Sequence, residues 1–264
     1  MRILIAESKT MTDCGAEVGP ELLADHRPRL DSIATTFMRG WSEWKPEEIS
    51  AALKVSPALA SEFLKMAYEF PNKATGEKAL AAFTGVVFKA LDYASLSPEE
   101  QLRADGCVDI ISSLYGWLRG DDIVKPYRLD FTPRIAPTGA TMANYWKPIV
   151  TPLLMESMEN DGETEILDLL PADGAKCLDM RRLRRTFRVV KVDFRSVADG
   201  GTLKTPHSTL LKTLRGQLLR EIIRQDIRSI DSLMSFESDK MYVDPDSDPA
   251  IGIITMLVAD TTTA

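Results

Sequence analysis

Apolar positions follow two rhythms along the chain. Short, nearly unbroken aliphatic runs at Arg2 to Ala6 and Val108 to Ile111 read as strands buried on both faces, which show little alternation. Glu165 to Leu169 reads as a further strand. Arg188 to Ser196 and Thr202 to Thr205 alternate around Asp199-Gly200-Gly201, a pattern that predicts a hairpin. Helical spacing alternates with these runs. It predicts a helix within Gly19 to Phe37 interrupted by Pro28, a short one over Ile49 to Leu53, and others from Pro57 to Phe70, from Gly76 to Ala82 and from Thr141 to Asn160. Phe83 to Tyr93 fits neither rhythm. Polar residues mark several starts: Lys45-Pro46 followed by Glu47 and Glu48, Ser56-Pro57, and Ser97-Pro98-Glu99-Glu100 each set a cap and Pro ahead of a first turn. Strands interspersed with helices predict an α/β (α+β) fold, a single domain over residues 1–264 with a mixed sheet flanked by helices.

Residues 207 to 226 form the clearest helix. With Lys212 at zero and about 100° per residue, Leu210, Leu211, Leu214, Leu218, Leu219, Ile222 and Ile223 cover one broad arc. Arg220 and Arg224 fall opposite, as a solvent face. Arg215 projects inside the apolar arc, with Lys212 at its edge and Gly216 beside it. A guanidinium there requires an anion, because an unpaired buried charge costs several kcal/mol. Either an internal carboxylate such as Asp130 or an anionic ligand supplies it.

Leu114 to Asp130 packs Tyr115, Arg119, Lys125, Tyr127 and Arg128 around Gly116, Gly120 and Pro126, which reads as a site following a strand. The cluster Glu7, Ser8, Lys9, Thr10 follows the first strand directly, where ligands of α/β sheets gather. The two short helices joined across Val55, Ser56, Pro57 and Ala58 suggest a helix-hairpin-helix, which would offer backbone N–H groups to a phosphate. The turn lacks glycines for close approach, and a plain αα-hairpin fits the same residues.

The 264 residues are 44% hydrophobic and 27% charged, ordinary for a globular chain. The longest uncharged apolar run, Ile251 to Ala259, is too short to span a membrane, and nothing at the start resembles a leader, so a cytoplasmic location is expected. The net charge of -7 hides an asymmetry: Lys176 to Arg228 carries 14 basic and 5 acidic residues, including Arg181, Arg182, Arg184, Arg185 and Arg188. Cys14, Cys107 and Cys177 are scattered and form no CxxC pair, so neither a disulfide framework nor a zinc site is expected, nor any other metal or cofactor. No Walker loop, dinucleotide fingerprint or nucleophile elbow occurs, and His26 and His207 lack the partners of a catalytic histidine.

Separate segments, in order, resemble the peroxide-stress protein YaaA family: Ile3-Leu4-Ile5 with Ser8-Lys9-Thr10, Phe83-x-Gly85-x-Val87-Phe88, Leu114-Tyr115-Gly116-x-Leu118-Arg119, Pro126-Tyr127-Arg128-Leu129, Tyr145-Trp146, Lys212-x-x-Arg215-Gly216, and Phe236 with Tyr242 and Asp244. The resemblance implies a single α/β domain of unusual topology with a positively charged cleft. It also implies a cytoplasmic role in surviving hydrogen peroxide and DNA binding through a helix-hairpin-helix near Leu53 to Leu64. No established reaction comes with it. The chain departs from the family at Ala6-Glu7-Ser8, where the pattern has Ser-Pro-Ala, and at Leu170 to Lys176, where only Lys176 of a longer motif remains.

Two functions follow. One is DNA binding, without sequence specificity, in a cleft combining Ser8, Lys9, Thr10, Tyr115, Arg119, Lys125, Tyr127, Arg128, Lys212 and Arg215. The other is an enzyme acting on a small anionic metabolite or nucleotide, for which the tyrosines, Asp130 and Asp244 would supply acid-base groups.

Overall fold

The computed structural model describes residues 1–12, 25–73, 75–197 and 202–258. Its centre is a parallel array in the order β3-β1-β6-β7-β10, built from β1 (Arg2–Ala6), β3 (Val108–Ser112), β6 (Glu165–Asp168), β7 (Arg188–Val197) and β10 (Ile253–Val258). Antiparallel strands close both edges: β4 (Gly116–Arg119) beside β3, and β9 (Met241–Val243) beside β10. A short β8 (Leu203–Lys204) pairs with the end of β7, and β2 (Glu77–Lys78) pairs with β5 (Ile123–Val124) apart from the main sheet. The domain is thus a mixed α/β sheet flanked by helices, as the sequence pattern implies. No helix among the described residues is long and apolar enough to cross a membrane.

The helices, in chain order, are α1 (Asp31–Trp41), α2 (Pro46–Leu53), α3 (Pro57–Glu69), α4 (Ala79–Ala82), α5 (Val86–Leu91), α6 (Pro98–Cys107), α7 (Met142–Asn160), α8 (Ala172–Ala175), α9 (Met180–Thr186), α10 (Ser208–Arg224) and α11 (Ile230–Leu233). Their polar starts act as the sequence suggests. Ser56 Oγ accepts the Leu59 N–H; Thr141, a cap the sequence reading did not name, likewise accepts that of Asn144 through Oγ1. Ser97 and Glu100 close a reciprocal capping box, each side chain holding the other's backbone N–H at 3.3 and 2.7 Å.

Several boundaries differ from the sequence pattern. α1 starts only after Pro28, whose carbonyl accepts the Asp31 N–H, and runs on to Trp41. Gly76 to Ala82 is not one helix, because Glu77 and Lys78 pair in register with Val124 and Ile123 first. The beginning of the Gly19 to Phe37 region, Cys14 and the Asp199-Gly200-Gly201 turn lie outside the described residues; β7 and β8 on either side of that turn do pair antiparallel.

All five residues of β1 are buried and β3 is buried throughout, as strands covered on both faces must be. An ion pair lies within this core. Arg2, 1% exposed, donates through Nε and Nη2 to both carboxylate oxygens of Asp109 at 2.8 and 2.7 Å, and Trp117 Nε1 donates to the same carboxylate at 2.8 Å. Burial raises the Asp109 pKa and Arg2 opposes it, so the pair stands only because each partner is met.

The strand order positions the site. From β1 the chain goes first to β3 on one side and later to β6 on the other, so the connections part at the carboxyl ends of β1 and β6. Ligands of open α/β sheets enter at such switch points.

Candidate functional site

A cleft of about 380 Å³ opens where the connections part. The β1 exit supplies Glu7, Ser8, Lys9 and Thr10; the β6 exit supplies Leu169, Pro171 and Asp173; the start of α5 supplies Gly85 to Phe88; and α10 supplies Lys212 and Arg215, with Asp130 and Phe131 closing one side.

Local chemistry fixes each wall. Ser8 Oγ accepts the Gly85 N–H at 3.0 Å and donates to the Thr10 carbonyl at 2.7 Å, so the β1 exit is tied to the turn before α5. A Cβ on Gly85 would lie 2.4 Å from that of Ser8, so the approach demands glycine. On the opposite wall α10 lies so close to α5 that a Cβ on Gly216 would lie 2.1 Å from the Val87 carbonyl oxygen. Lys212 and Arg215 therefore reach the cleft because Gly216 lets their helix in.

The charges are mixed. Lys9 pairs with Asp130 at 2.5 Å. The expectation that Asp130 answers Arg215 is corrected by this pair: the carboxylates acting on Arg215 are Asp168 and Asp173, neither of which hydrogen-bonds its guanidinium. Burial pushes the Arg215 pKa down while those two carboxylates pull it up. Asp168, at the end of β6, is raised by burial; the Leu170 N–H at 2.9 Å opposes this, as do the charges of Lys191, Arg184 and Arg215.

Beneath the cleft lies Glu7, pushed up to about 7 by burial, while the polar groups of Ser113, Tyr127 and Ser112 around it pull the other way. Tyr127 donates to Glu7 Oε2 and meets Ser112 Oγ at 2.6 Å. Ser112 Oγ in turn accepts the Leu114 and Tyr115 N–H groups at 3.2 and 3.0 Å. Glu7 belongs to the polar cluster the sequence places after β1 but was given no contact in the cleft there, although it stands where the family pattern has proline.

Ser8, Lys9, Thr10, Lys212 and Arg215 thus meet in one cleft. Arg128 lines an adjoining groove with Lys9, Lys54, Val55, Leu59 and Asp130, and donates to the Lys9 carbonyl at 3.5 Å. Of the hairpin candidates, Val55 borders this groove; Ser56 and Pro57 serve as cap and first residue of α3. The turn itself is made by Lys54 in the left-handed region, φ 55°.

The remaining candidates from Leu114 to Asp130 lie elsewhere, and the sheet explains why. β3 ends at the carboxyl edge, β4 runs back antiparallel, and Arg119 pairs in register with Asp109. Arg119 therefore reaches the opposite edge, where it donates to the Gly106 carbonyl at 2.8 Å and pairs with Asp161. Tyr115 is fully buried, its hydroxyl accepting the Lys125 N–H at 3.1 Å. Lys125 Nζ donates to the Phe70 carbonyl at 2.9 Å and lies over the Phe70 ring, and Tyr127 is core beneath Glu7. Gly116 is fixed by φ +73° and by Trp146, whose ring a Cβ would meet at 2.6 Å, so the separate Leu-Tyr-Gly and Tyr-Trp segments explain each other.

Other polar candidates are structural. Arg220 does not face solvent as expected; it donates to the Leu91 and Asp92 carbonyls at the end of α5, at 2.7 and 3.0 Å. His207 caps α10 by accepting the Leu210 N–H, and His26 meets Asp121 at 3.0 Å. Lys176 stands beside Lys147 and Arg181 on another surface. Among the described residues no three His, Cys, Asp or Glu side chains gather as a metal site.

Comparison with known proteins finds relatives over nearly the whole chain. The model of the family described as peroxide stress protein YaaA matches residues 1–247. A UPF0246 protein of Bacteroides fragilis is 32% identical over 239 residues, covering 89% of this chain and 90% of its own. UPF0246 proteins of Parabacteroides distasonis, 28% identical over 89% of this chain and 91% of their own, and of a Shewanella species, 27% identical over 92% and 93%, are similar across the same span. Matched over nearly its whole length, the chain belongs to the peroxide stress protein YaaA family.

Proposed function

We propose that the chain serves peroxide stress by binding a phosphate-bearing ligand in the cleft at the carboxyl ends of β1 and β6, with Lys9, Lys212 and Arg215 as its anion contacts. One observation carries this reading: Arg215 reaches the cleft half-buried, and its guanidinium makes no hydrogen bond or ion pair with a described residue, only longer-range attraction from Asp168 and Asp173. An arginine in that state supplies the planar, charged donors that phosphate takes up. The cleft volume falls in the range of small-molecule sites.

DNA held at the α2–α3 hairpin is a second reading, favoured by the groove in which Lys54 and Val55 of that hairpin meet Lys9 and Arg128. Lys9 belongs to both places, so a nucleic-acid end entering the cleft would satisfy both. The acids Glu7, Asp130 and Asp173 would be available to a reaction on a small ligand in the same cleft.

Thermal unfolding in the presence of nucleotides, sugar phosphates and short duplex DNA tests the proposal. A bound ligand at 100 times its dissociation constant adds about 2.7 kcal/mol. Stabilisation by small phosphates that disappears in Lys212→Ala/Arg215→Ala supports the first reading. Stabilisation by DNA alone, lost in Lys54→Ala/Arg128→Ala, transfers the function to the hairpin. A flat response throughout contradicts both.

A further inference from the structure

The hydrogen bonds beneath the cleft run in one direction. Ser112 Oγ already accepts two backbone N–H groups, from Leu114 and Tyr115, so its own proton must go outward, and Tyr127 Oη is the partner it has at 2.6 Å. Tyr127 Oη, accepting from Ser112, gives its proton to Glu7 Oε2. Every donor in the chain therefore points at Glu7. Its other oxygen, Oε1, is shielded from solvent and has no hydrogen-bond partner among the described residues; Ser113 Oγ is in the same condition. A proton taken up by Glu7 would sit on Oε1 and leave the Tyr127 bond in place. Uptake and release thus need no rearrangement of the fold.

Glu7 also lines the cleft that holds Lys9, Lys212 and Arg215. We infer that Glu7 sets the charge of the ligand this cleft accepts: with Glu7 neutral, Arg215 and Lys212, beside a Lys9 already shared with Asp130, hold a doubly charged oxyanion, and with Glu7 ionised that oxyanion is rejected. The inference rests on the proposed anion site. It adds that, above the Glu7 midpoint, binding of a dianion takes up one proton.

The pKa of Glu7, raised to about 7 by burial, places this change near neutrality. The groups facing it from the surrounding elements do not substitute for it. Tyr127 is pushed well above its usual value by burial and by Glu7 itself, and the buried Cys177 thiol, which feels the Glu7 charge, is pushed up as well. Asp130 is paired with Lys9, while Asp173 borders the cleft from the β6 exit. His207 caps the helix that carries Lys212. All of these groups are shared by wild type and a Glu7→Gln variant, whose amide carbonyl still accepts from Tyr127.

Sulfate is the probe, since it stays a dianion from pH 5.5 to 8.5 and is shaped like phosphate. Calorimetric affinities are measured across that range for wild type, Glu7→Gln and Arg215→Ala, alongside a carbon-13 NMR titration of the Glu7 carboxyl in ligand-free wild type. The expected result is a Glu7 midpoint near 7, a dissociation constant that rises in wild type by up to about tenfold per pH unit above it, and no such rise in Glu7→Gln. A Glu7 midpoint near the ordinary carboxylate value overturns the inference. So does sulfate binding that Arg215→Ala abolishes but whose pH dependence is absent in wild type or equal in Glu7→Gln; the anion site itself then stands. Sulfate binding absent at every pH in both wild type and Glu7→Gln removes the anion site, and the inference with it.

Discussion

Replacing Gly216 by alanine tests how the cleft is held open to α10. The added Cβ would lie 2.1 Å from the Val87 carbonyl oxygen and 2.7 Å from the Ala90 Cβ, where an ordinary contact is well over 3 Å. Backbone carbonyls do not swing aside as a flexible side chain does, so α10 and α5 must separate by roughly 1 Å. Overpacking of this kind costs about 1 to 3 kcal/mol, and the severity of this contact puts it near the upper end. Alanine returns up to about 1 kcal/mol of helix propensity, which leaves a net loss of about 2 kcal/mol. In a chain of this size that lowers the thermal midpoint by about 4 to 8 °C. Gly40, near the end of α1, and Gly106, in α6, provide the control: nothing lies within 4 Å of a Cβ at either, so alanine there should leave stability unchanged or raise it. Urea unfolding of Gly216→Ala, Gly40→Ala and Gly106→Ala measures the contrast. Should Gly216→Ala prove as stable as wild type or more so, the close approach of α10 is not what places Lys212 and Arg215.

Further outcomes follow from the buried charges and thiols. Arg2→Met strands the Asp109 carboxylate without its bidentate partner, an expected loss of about 3 to 5 kcal/mol by urea unfolding, much of it recovered in Arg2→Met/Asp109→Asn. Asp122 is pushed up to about 8 by burial and by the charges of Asp121 and Asp109. Its folded pKa exceeds its unfolded one, so the folded state holds a proton that the unfolded state releases, and stability falls as pH rises between about 4 and about 8. Asp122→Asn should remove up to about 1.4 kcal/mol per pH unit of that decline, and equal pH profiles for the two proteins would contradict the burial argument. Burial pushes the Cys107 thiol up to about 12 and raises Cys177 as well. In a Cys14→Ser protein, Ellman's reagent should therefore find no fast thiol until the chain unfolds.

What the sequence revealed follows from how local each signal is. Ser56 and Ser97 cap their helices through contacts three residues away, and β1 announces itself by five buried positions in a row. Arg215 was conspicuous because a guanidinium within an apolar arc requires a partner, although Asp168 and Asp173, rather than Asp130, proved to be the carboxylates acting on it. Leu114 to Asp130 misled because its polar groups end on buried partners that pairing across strands brings together: Trp117 on Asp109, Tyr115 on the Lys125 N–H, Tyr127 on Glu7. Composition records that a hydroxyl or indole N–H is present and not where its hydrogen bond goes. Arg119 was misplaced for the same reason, since only the antiparallel return of β4 sends it to the far edge. Glu7 stood in the cluster after β1 but drew no role of its own, because its distinctive surroundings come from Ser112, Ser113 and Tyr127, more than 100 residues later in the chain.

The most direct test of the cleft as an anion site is calorimetric titration of wild type and Arg215→Ala with pyrophosphate at pH 6 and low ionic strength. One site per chain in wild type, weakened at least about tenfold in an Arg215→Ala protein of unchanged fold, is the expected result. Equal affinity in the two proteins, or no binding to wild type, would contradict it.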